Sequence, residues 1–307
     1  MQGVFEGFAT IGVVIALGAL LGHCGFLDLD AQMLLSRLSF FVASPALIVT
    51  VLDHADVAGV LSANLVATFA GFLAASVLYL VGARLVWRHD VGDTVIGMLC
   101  SSYVNAGNLG LPIAAYVLGD AALVAPTLLM QLLVLQPLAL AALDHASSSS
   151  AFSIGRALLQ PVTNPLTVAS IAGVLLAVTG LTLPGGVREP LQLVGDMAVP
   201  SMLLAYGVSL RLGPRAGHGT SLGEIGWITV LKLIVQPATA YCVARFALGV
   251  GEAGLLAITV LAALPTAQNI FVHATRYGRA EVVARDSIFV TTLLAVPVIL
   301  VIAAVLA

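Results

Sequence analysis

Charge is what this chain has least of. Only 9% of its 307 residues are Asp, Glu, Lys or Arg, whereas 60% are hydrophobic and the mean hydropathy is +1.09. A soluble domain carries about 25% charged residues. This chain cannot clothe a particle in water, which excludes a cytosolic enzyme and a disordered protein. Twelve Lys and Arg spread over the whole length exclude a nucleic-acid surface as well. Aromatic residues are also sparse, at 6%, so no aromatic girdle is expected. The three cysteines, Cys24, Cys100 and Cys242, form no CxxC pair and no metal-ligand spacing; they read as buried free thiols that fill apolar space. The N-terminus, Met1 to Glu6, lacks the basic segment of a signal peptide. What remains is a chain whose surface lies mostly in lipid.

Long apolar runs are what the chain has in abundance. A membrane-crossing helix needs about 20 of them in succession, and ten candidates appear: 5–22, 33–52, 60–86, 94–118, 121–143, 161–182, 190–210, 225–248, 253–275 and 286–306. Lipid offers no partners to backbone polar groups, so continuous runs must be helices. The fold expected is an all-α membrane protein. With the N-terminus outside, the inner loops hold Arg37, Arg84, Arg88, Arg156, Arg211, Arg215, Arg276, Arg279 and Arg285, and the outer side holds only Arg188 and Arg245. This bias predicts that both termini are external. The polar stretch 144–160 reads as a cytoplasmic linker between a first half, 1–143, and a second, 161–307; the link 211–224 is glycine-rich.

The two halves resemble each other. "IALGALLGHCGF" (15–26) aligns with "SIAGVLLAVTGL" (170–181), placing Gly18 over Gly173, Gly25 over Gly180 and, further on, Pro45 over Pro200. At an offset of 161, "VGARLV" (81–86) aligns with "CVARFA" (242–247), Asn108 with Asn269 and Tyr116 with Tyr277; Pro137 falls over Pro297 at 160. Five spans per half is an odd number, so the second half runs inverted. Inverted repeats are a signature of secondary transporters whose site lies at discontinuous helices.

Breaks are expected in spans four and nine. Span four reads Ser101-Ser102-Tyr103-Val104-Asn105-Ala106-Gly107-Asn108-Leu109-Gly110-Leu111-Pro112, and span nine reads Leu264-Pro265-Thr266-Ala267-Gln268-Asn269-Ile270-Phe271. Gly and Pro weaken a helix in mid-span. An opened turn presents the positive end of a half-helix to an anion, and carboxamides both donate and accept without fixed charge. The residues assigned to substrate are Asn105, Gly107, Asn108, Pro112, Pro265, Thr266, Gln268 and Asn269. Asp196, four residues before Pro200, could bind a cation, exchange a proton or pair structurally. Lys232 snorkels to the inner face, pairs, or attracts an anion. His273 shares a helix face with Asn269 and either packs or handles a proton. Gln131 and Gln136 read as helix–helix bonds. No nucleophile, metal, phosphate-loop or haem motif occurs, so neither an enzyme nor a cofactor or metal site is expected.

The stretches "SSYVNAGNLGLPIAAYVLGD" (101–120) and "LPTAQNIFVHATRYG" (264–278) resemble the auxin efflux carrier family, which includes the plant PIN auxin carriers and bacterial permeases. The resemblance spans essentially the whole chain. It implies ten transmembrane helices as two inverted five-helix repeats, with broken helices four and nine crossing as in sodium–proton antiporters and bile-acid symporters. Spans 1, 2, 6 and 7 would form a scaffold domain, and spans 3–5 and 8–10 a moving transport domain. It implies a small organic anion as substrate, either a dicarboxylate or an auxin-like monocarboxylate, and suggests a homodimer. Asn105, Asn108 and Pro112 match the family's first crossover, and Pro265 through Asn269 match its second. Ile270 stands where plant carriers have a second proline, and the central loop is short, which favours a bacterial-type permease of the inner membrane. The expected function is elevator-like transport of a carboxylate. The alternatives are a receptor that binds an organic acid without moving it, and proton- or sodium-coupled symport through Asp196.

Overall fold

Backbone polar groups in lipid have to be satisfied within the chain, and helix does so locally. In the computed structural model, which describes residues 2–53, 57–147, 165–212 and 222–306, the chain is all-helical. In chain order the helices are α1 (Gln2–His23), α2 (Leu29–Leu52), α3 (Val57–Gly82) and α4 (Val91–Ser102). Then follow α5 (Leu111–Tyr116), α6 (Ala125–Met130), α7 (Gln136–Ser147), α8 (Pro165–Thr179), α9 (Gly185–Gly195) and α10 (Ala198–Leu212). The last four are α11 (Leu222–Ala247), α12 (Glu252–Ala262), α13 (Asn269–Tyr277) and α14 (Glu281–Leu306). Among the described residues five stretches are long and apolar enough to cross a membrane: Leu29–Leu52, Ala63–Trp87, Gly185–Leu212, Leu222–Ala247 and Glu281–Leu306. Shorter apolar helices accompany them. The expected linker, 144–160, begins later than the polarity suggests, because α7 continues to Ser147; its remainder lies outside the described residues, as does most of the 211–224 link.

Proline shapes these helices in a regular way. Four π-helical turns, Ser39–Ala43, Ala106–Gly110, Gln131–Leu135 and Leu231–Val235, each end two residues before a proline: Pro45, Pro112, Pro137 and Pro237. A proline lacks the N–H that an α-turn needs and pushes away the carbonyl four residues earlier. The wider turn absorbs that mismatch, with the N–H groups of Ser44, Gln136 and Gln236 donating five residues back. Left-handed residues stop the helices: Gly25 after α1, Arg88 after α3, Gly119 after α5, Gly180 after α8, Gly249 after α11 and Gly278 after α13.

By internal contacts the chain divides into two compact units. Unit 1 comprises Met1–Ser62, Ala106–Leu129 and Pro161–Pro214, and unit 2 comprises Ala63–Asn105, Met130–Gln160 and Arg215–Ala307. In unit 1, α1 and α10 lie so close that a Cβ on Gly18 would strike the Leu204 carbonyl, and one on Gly207 the Ile15 carbonyl. Small residues allow this approach between membrane helices. Replacing Gly18 or Gly207 with leucine should destabilise unit 1 by about 1–3 kcal/mol. Gly12→Ala, with open space around it, should leave melting in detergent unchanged. Equal unfolding temperatures for all three variants would contradict this packing.

Unit 2 has its core around Tyr79, Ile96, Cys100, Leu231, Ile270, Ala274 and Ala284, all fully buried. Trp87 stacks on the Tyr79 ring at 6.3 Å. Only Cys100 behaves as the buried filler expected of the cysteines. Cys24 lies just past the end of α1 and Cys242 on an outward face of α11, and both are exposed.

Candidate functional site

Both expected breaks occur, and both lie in unit 2. The helix of span four stops at Ser102 and residues 103–105 are extended; that of span nine stops at Ala262 and does not resume until Asn269. The two interruptions pair antiparallel, Val104 opposite Thr266. Asn105 N–H donates to the Pro265 carbonyl at 2.8 Å, and Ala267 N–H to the Tyr103 carbonyl at 3.1 Å. Residues 103–106 and 263–267 are all buried.

A buried helix end must find partners for its last carbonyls. Here those partners come from the chain's own next residues, from the facing interruption and from side chains of neighbouring helices. The Leu99 carbonyl accepts from Tyr103 N–H, and the Cys100 carbonyl from the Thr266 hydroxyl at 2.6 Å. The Ser102 carbonyl accepts from Gln236 Nε2 at 2.8 Å, and the Val104 carbonyl from Gln131 Nε2 at 2.9 Å. Thr266 N–H donates to Thr291 Oγ1 at 3.1 Å. Ser76 Oγ bonds Ser102 Oγ at 2.9 Å, and Lys232 Nζ donates to the Ala262 carbonyl at 3.3 Å. Unsatisfied, each of these groups would cost about 1–3 kcal/mol.

The structure distributes the residues singled out by sequence as follows. Asn105, Pro265, Thr266, Gln268 and Asn269 come together in unit 2. Gly107 and Asn108, both half-buried in a π-turn, and Pro112, buried in the first turn of α5, belong to unit 1. The Thr266 hydroxyl is spent on the Cys100 carbonyl, so its contribution is to hold the break. Asn269 opens α13 half-buried, its carboxamide bonded to the Tyr103 phenol. Tyr103 also reaches Gln136 Oε1 at 3.4 Å. Gln131 bonds the interrupted backbone itself and not a neighbouring side chain. His273 is half-buried one turn along α13. Lys232 does not snorkel: it is 0% exposed, its Nζ held at 2.7 Å by Gln236 Oε1. Asp196 caps α9 on the surface of unit 1, at the junction with α10.

Sequence reading passed over Gln236, Thr291, Tyr103 and Ser76. The available signal was a polar pair four residues apart, Lys232 and Gln236, within an otherwise apolar run. It also missed a second buried cluster in unit 2, in which Tyr79 Oη donates to Glu224 Oε1 at 2.7 Å and His89 Nε2 lies 2.9 Å from the same oxygen. Among the described residues no group of three or more His, Cys, Asp or Glu could hold a metal ion. What the paired breaks offer chemically is a set of neutral carboxamides beside the positive end of a half-helix.

Known membrane transporters align with nearly the whole chain. A protein of Rhizobium meliloti (strain 1021) named "Putative malonate transporter" is 25% identical over 299 residues, covering 95% of this chain and 90% of the relative. An "Uncharacterized transporter" of Methanothermobacter thermautotrophicus is 27% identical over 306 residues, covering 95% of each. The family described as "Membrane transport protein" matches residues 4–303. With nearly its whole length matched and its apolar helices in place, this integral membrane protein belongs to the auxin-efflux-carrier-like family of membrane transport proteins.

Proposed function

We propose that the protein is a secondary transporter that moves a small dicarboxylate of the malonate class, bound at the paired helix interruptions. The observation that carries this reading is the pairing of 103–105 with 263–267 in unit 2, followed at once by Asn269 at the start of α13. Asn105 and Asn269 donate to the carboxylate, and the amino end of α13 supplies positive potential. Gly107, Asn108 and Pro112 are assigned to the same role on their sequence pattern. The malonate named for the Rhizobium relative sets the substrate class.

Several observations support an inverted repeat. Left-handed helix stops recur at matching places: Gly25 and Gly180 at the offset of 155, Arg88 and Gly249 at 161, Gly119 and Gly278 at 159. Gln131 and Thr291, 160 apart, each bond the backbone of one interruption, Gln131 donating to the Val104 carbonyl and Thr291 accepting from the Thr266 N–H. The segregation of both interruptions into one compact unit supports alternating access in which that unit moves. The excess of Arg in loops on one side supports external termini and a plasma-membrane location.

The test is flux of labelled malonate into proteoliposomes, preceded by a thermal-shift screen of mono- and dicarboxylates. Saturable uptake that unlabelled malonate competes away is the expected result. Binding without flux would establish a receptor instead, and absence of any carboxylate ligand would remove the substrate class. Uptake that follows a sodium or proton gradient, and loses that dependence in Asp196→Asn, would establish symport.

A further inference from the structure

The two half-helices that stop at the paired breaks, α4 at Ser102 and α12 at Ala262, each end in a partial negative charge. Both ends are buried. Transporters with broken helices commonly place a sodium ion or a proton against such carbonyl ends. Here the carbonyls are met by two linked side chains. Lys232 Nζ donates directly to the Ala262 carbonyl at 3.3 Å and to Gln236 Oε1 at 2.7 Å; Gln236 Nε2 donates onward to the Ser102 carbonyl at 2.8 Å. The carboxamide is thereby aligned as a relay, its oxygen toward the ammonium and its nitrogen toward the second helix end. Lys232 and Gln236 are 0% and 1% exposed, and among the described residues no carboxylate pairs with the lysine. Lys232 lies within the π-turn that precedes Pro237 and Gln236 directly follows it, and both side chains are buried.

The first half of the chain has no equivalent cation. At the repeat offset of 161 the counterpart of Lys232 is Gly71, and the space beside it is occupied by the Gln236 backbone. One lysine reaches both helix ends, that at Ala262 directly and that at Ser102 through Gln236.

We propose that Lys232 is a tethered cation. It is a positioning residue that takes, at the paired helix ends, the place a coupling sodium ion would occupy, so the anion site stands assembled without sodium. This rests on the carboxylate reading above only for its effect on binding; its effect on the two interruptions stands by itself.

Hydrogen exchange on the full-length, ligand-free protein in detergent tests this, in sodium chloride against choline chloride. The wild type should protect 103–105 and 263–268 equally in both salts. Lys232→Met should speed exchange in both segments by roughly tenfold or more, with sodium restoring part of the protection. Gln236→Ala, which cuts the link to Ser102 and frees Lys232 from the carboxamide but leaves its direct bond to Ala262, should loosen 103–105 and leave 263–268 largely as it was. Wild-type protection that depends on sodium would overturn the proposal, as would unchanged exchange in Lys232→Met. If Lys232→Met does not fold, loosening of both segments alike in Gln236→Ala overturns it, and loosening confined to 103–105 supports it. Malonate should bind the wild type with the same Kd in both salts, and sodium-dependent binding would overturn the proposal. Failure of the wild type to bind malonate in either salt counts against the substrate class, and the exchange result then decides the role of Lys232.

Discussion

Aspartate at position 269 is expected to abolish the proposed malonate uptake while the protein melts no lower than the wild type. Two effects of the same residue point in opposite directions. Asn269 is the first residue of α13, so a carboxylate there interacts favourably with the positive end of the helix by about 0.3–1 kcal/mol. The same carboxylate stands where the substrate anion would bind and repels it. Alanine at 269 removes one donor to a charged acceptor, worth about 1.5–3 kcal/mol, or roughly 10- to 100-fold in affinity. Uptake should therefore fall in the order wild type, Asn269→Ala, Asn269→Asp, whereas thermal stability should not follow that order. Proteoliposome flux and melting on the same preparations measure both. Wild-type uptake in the aspartate variant would remove Asn269 from the site.

Phenylalanine at position 79 should produce the largest loss of stability among single-atom changes in unit 2. The Tyr79 hydroxyl is fully buried and donates at 2.7 Å to Glu224, a buried carboxylate whose other partner on that oxygen is the half-exposed His89. Removing the hydroxyl leaves the acid short of a donor, at a cost of about 1.5–3 kcal/mol. Adding Glu224→Leu to Tyr79→Phe removes the charge that needed the donor and should recover part of the loss. The coupling between the two sites should be about 1–3 kcal/mol in an unfolding cycle in detergent. Strict additivity would show that the hydroxyl and the acid do not act as a pair.

These effects separate according to how well the sequence announced them. The interruptions at 103–105 and 263–268 were legible because Asn105, Gly107, Asn108, Pro112 and Pro265 weaken or end a helix locally, and no tertiary contact is needed to see it. Glycines 25 and 180 were legible as a repeat, and their left-handed stops explain why glycine stands at both. Thr266 and Gln131 were noticed, but their tasks were not: both hold carbonyls of the interrupted chain. Lys232 was read as able to reach the inner face, and its neighbour Gln236 went unremarked. Glu224 stood only as the end of the glycine-rich link 211–224, yet α3 and α11 bring Tyr79 onto it.

Composition and the continuity of the apolar runs determined that the protein lives in a membrane and is helical, because a chain with 9% charge cannot face water and a long unbroken apolar run satisfies its own backbone in lipid as a helix. It also determined where two helices would break, since the failure of a helix at Gly, Asn and Pro is local. Tertiary structure alone decided how those breaks are held. Which carbonyl meets which carboxamide depends on residues as distant as Ser102 and Gln236, or Cys100 and Thr266, arriving at hydrogen-bonding distance. A sequence shows that a buried polar group must have a partner; only the packing of the helices chooses it.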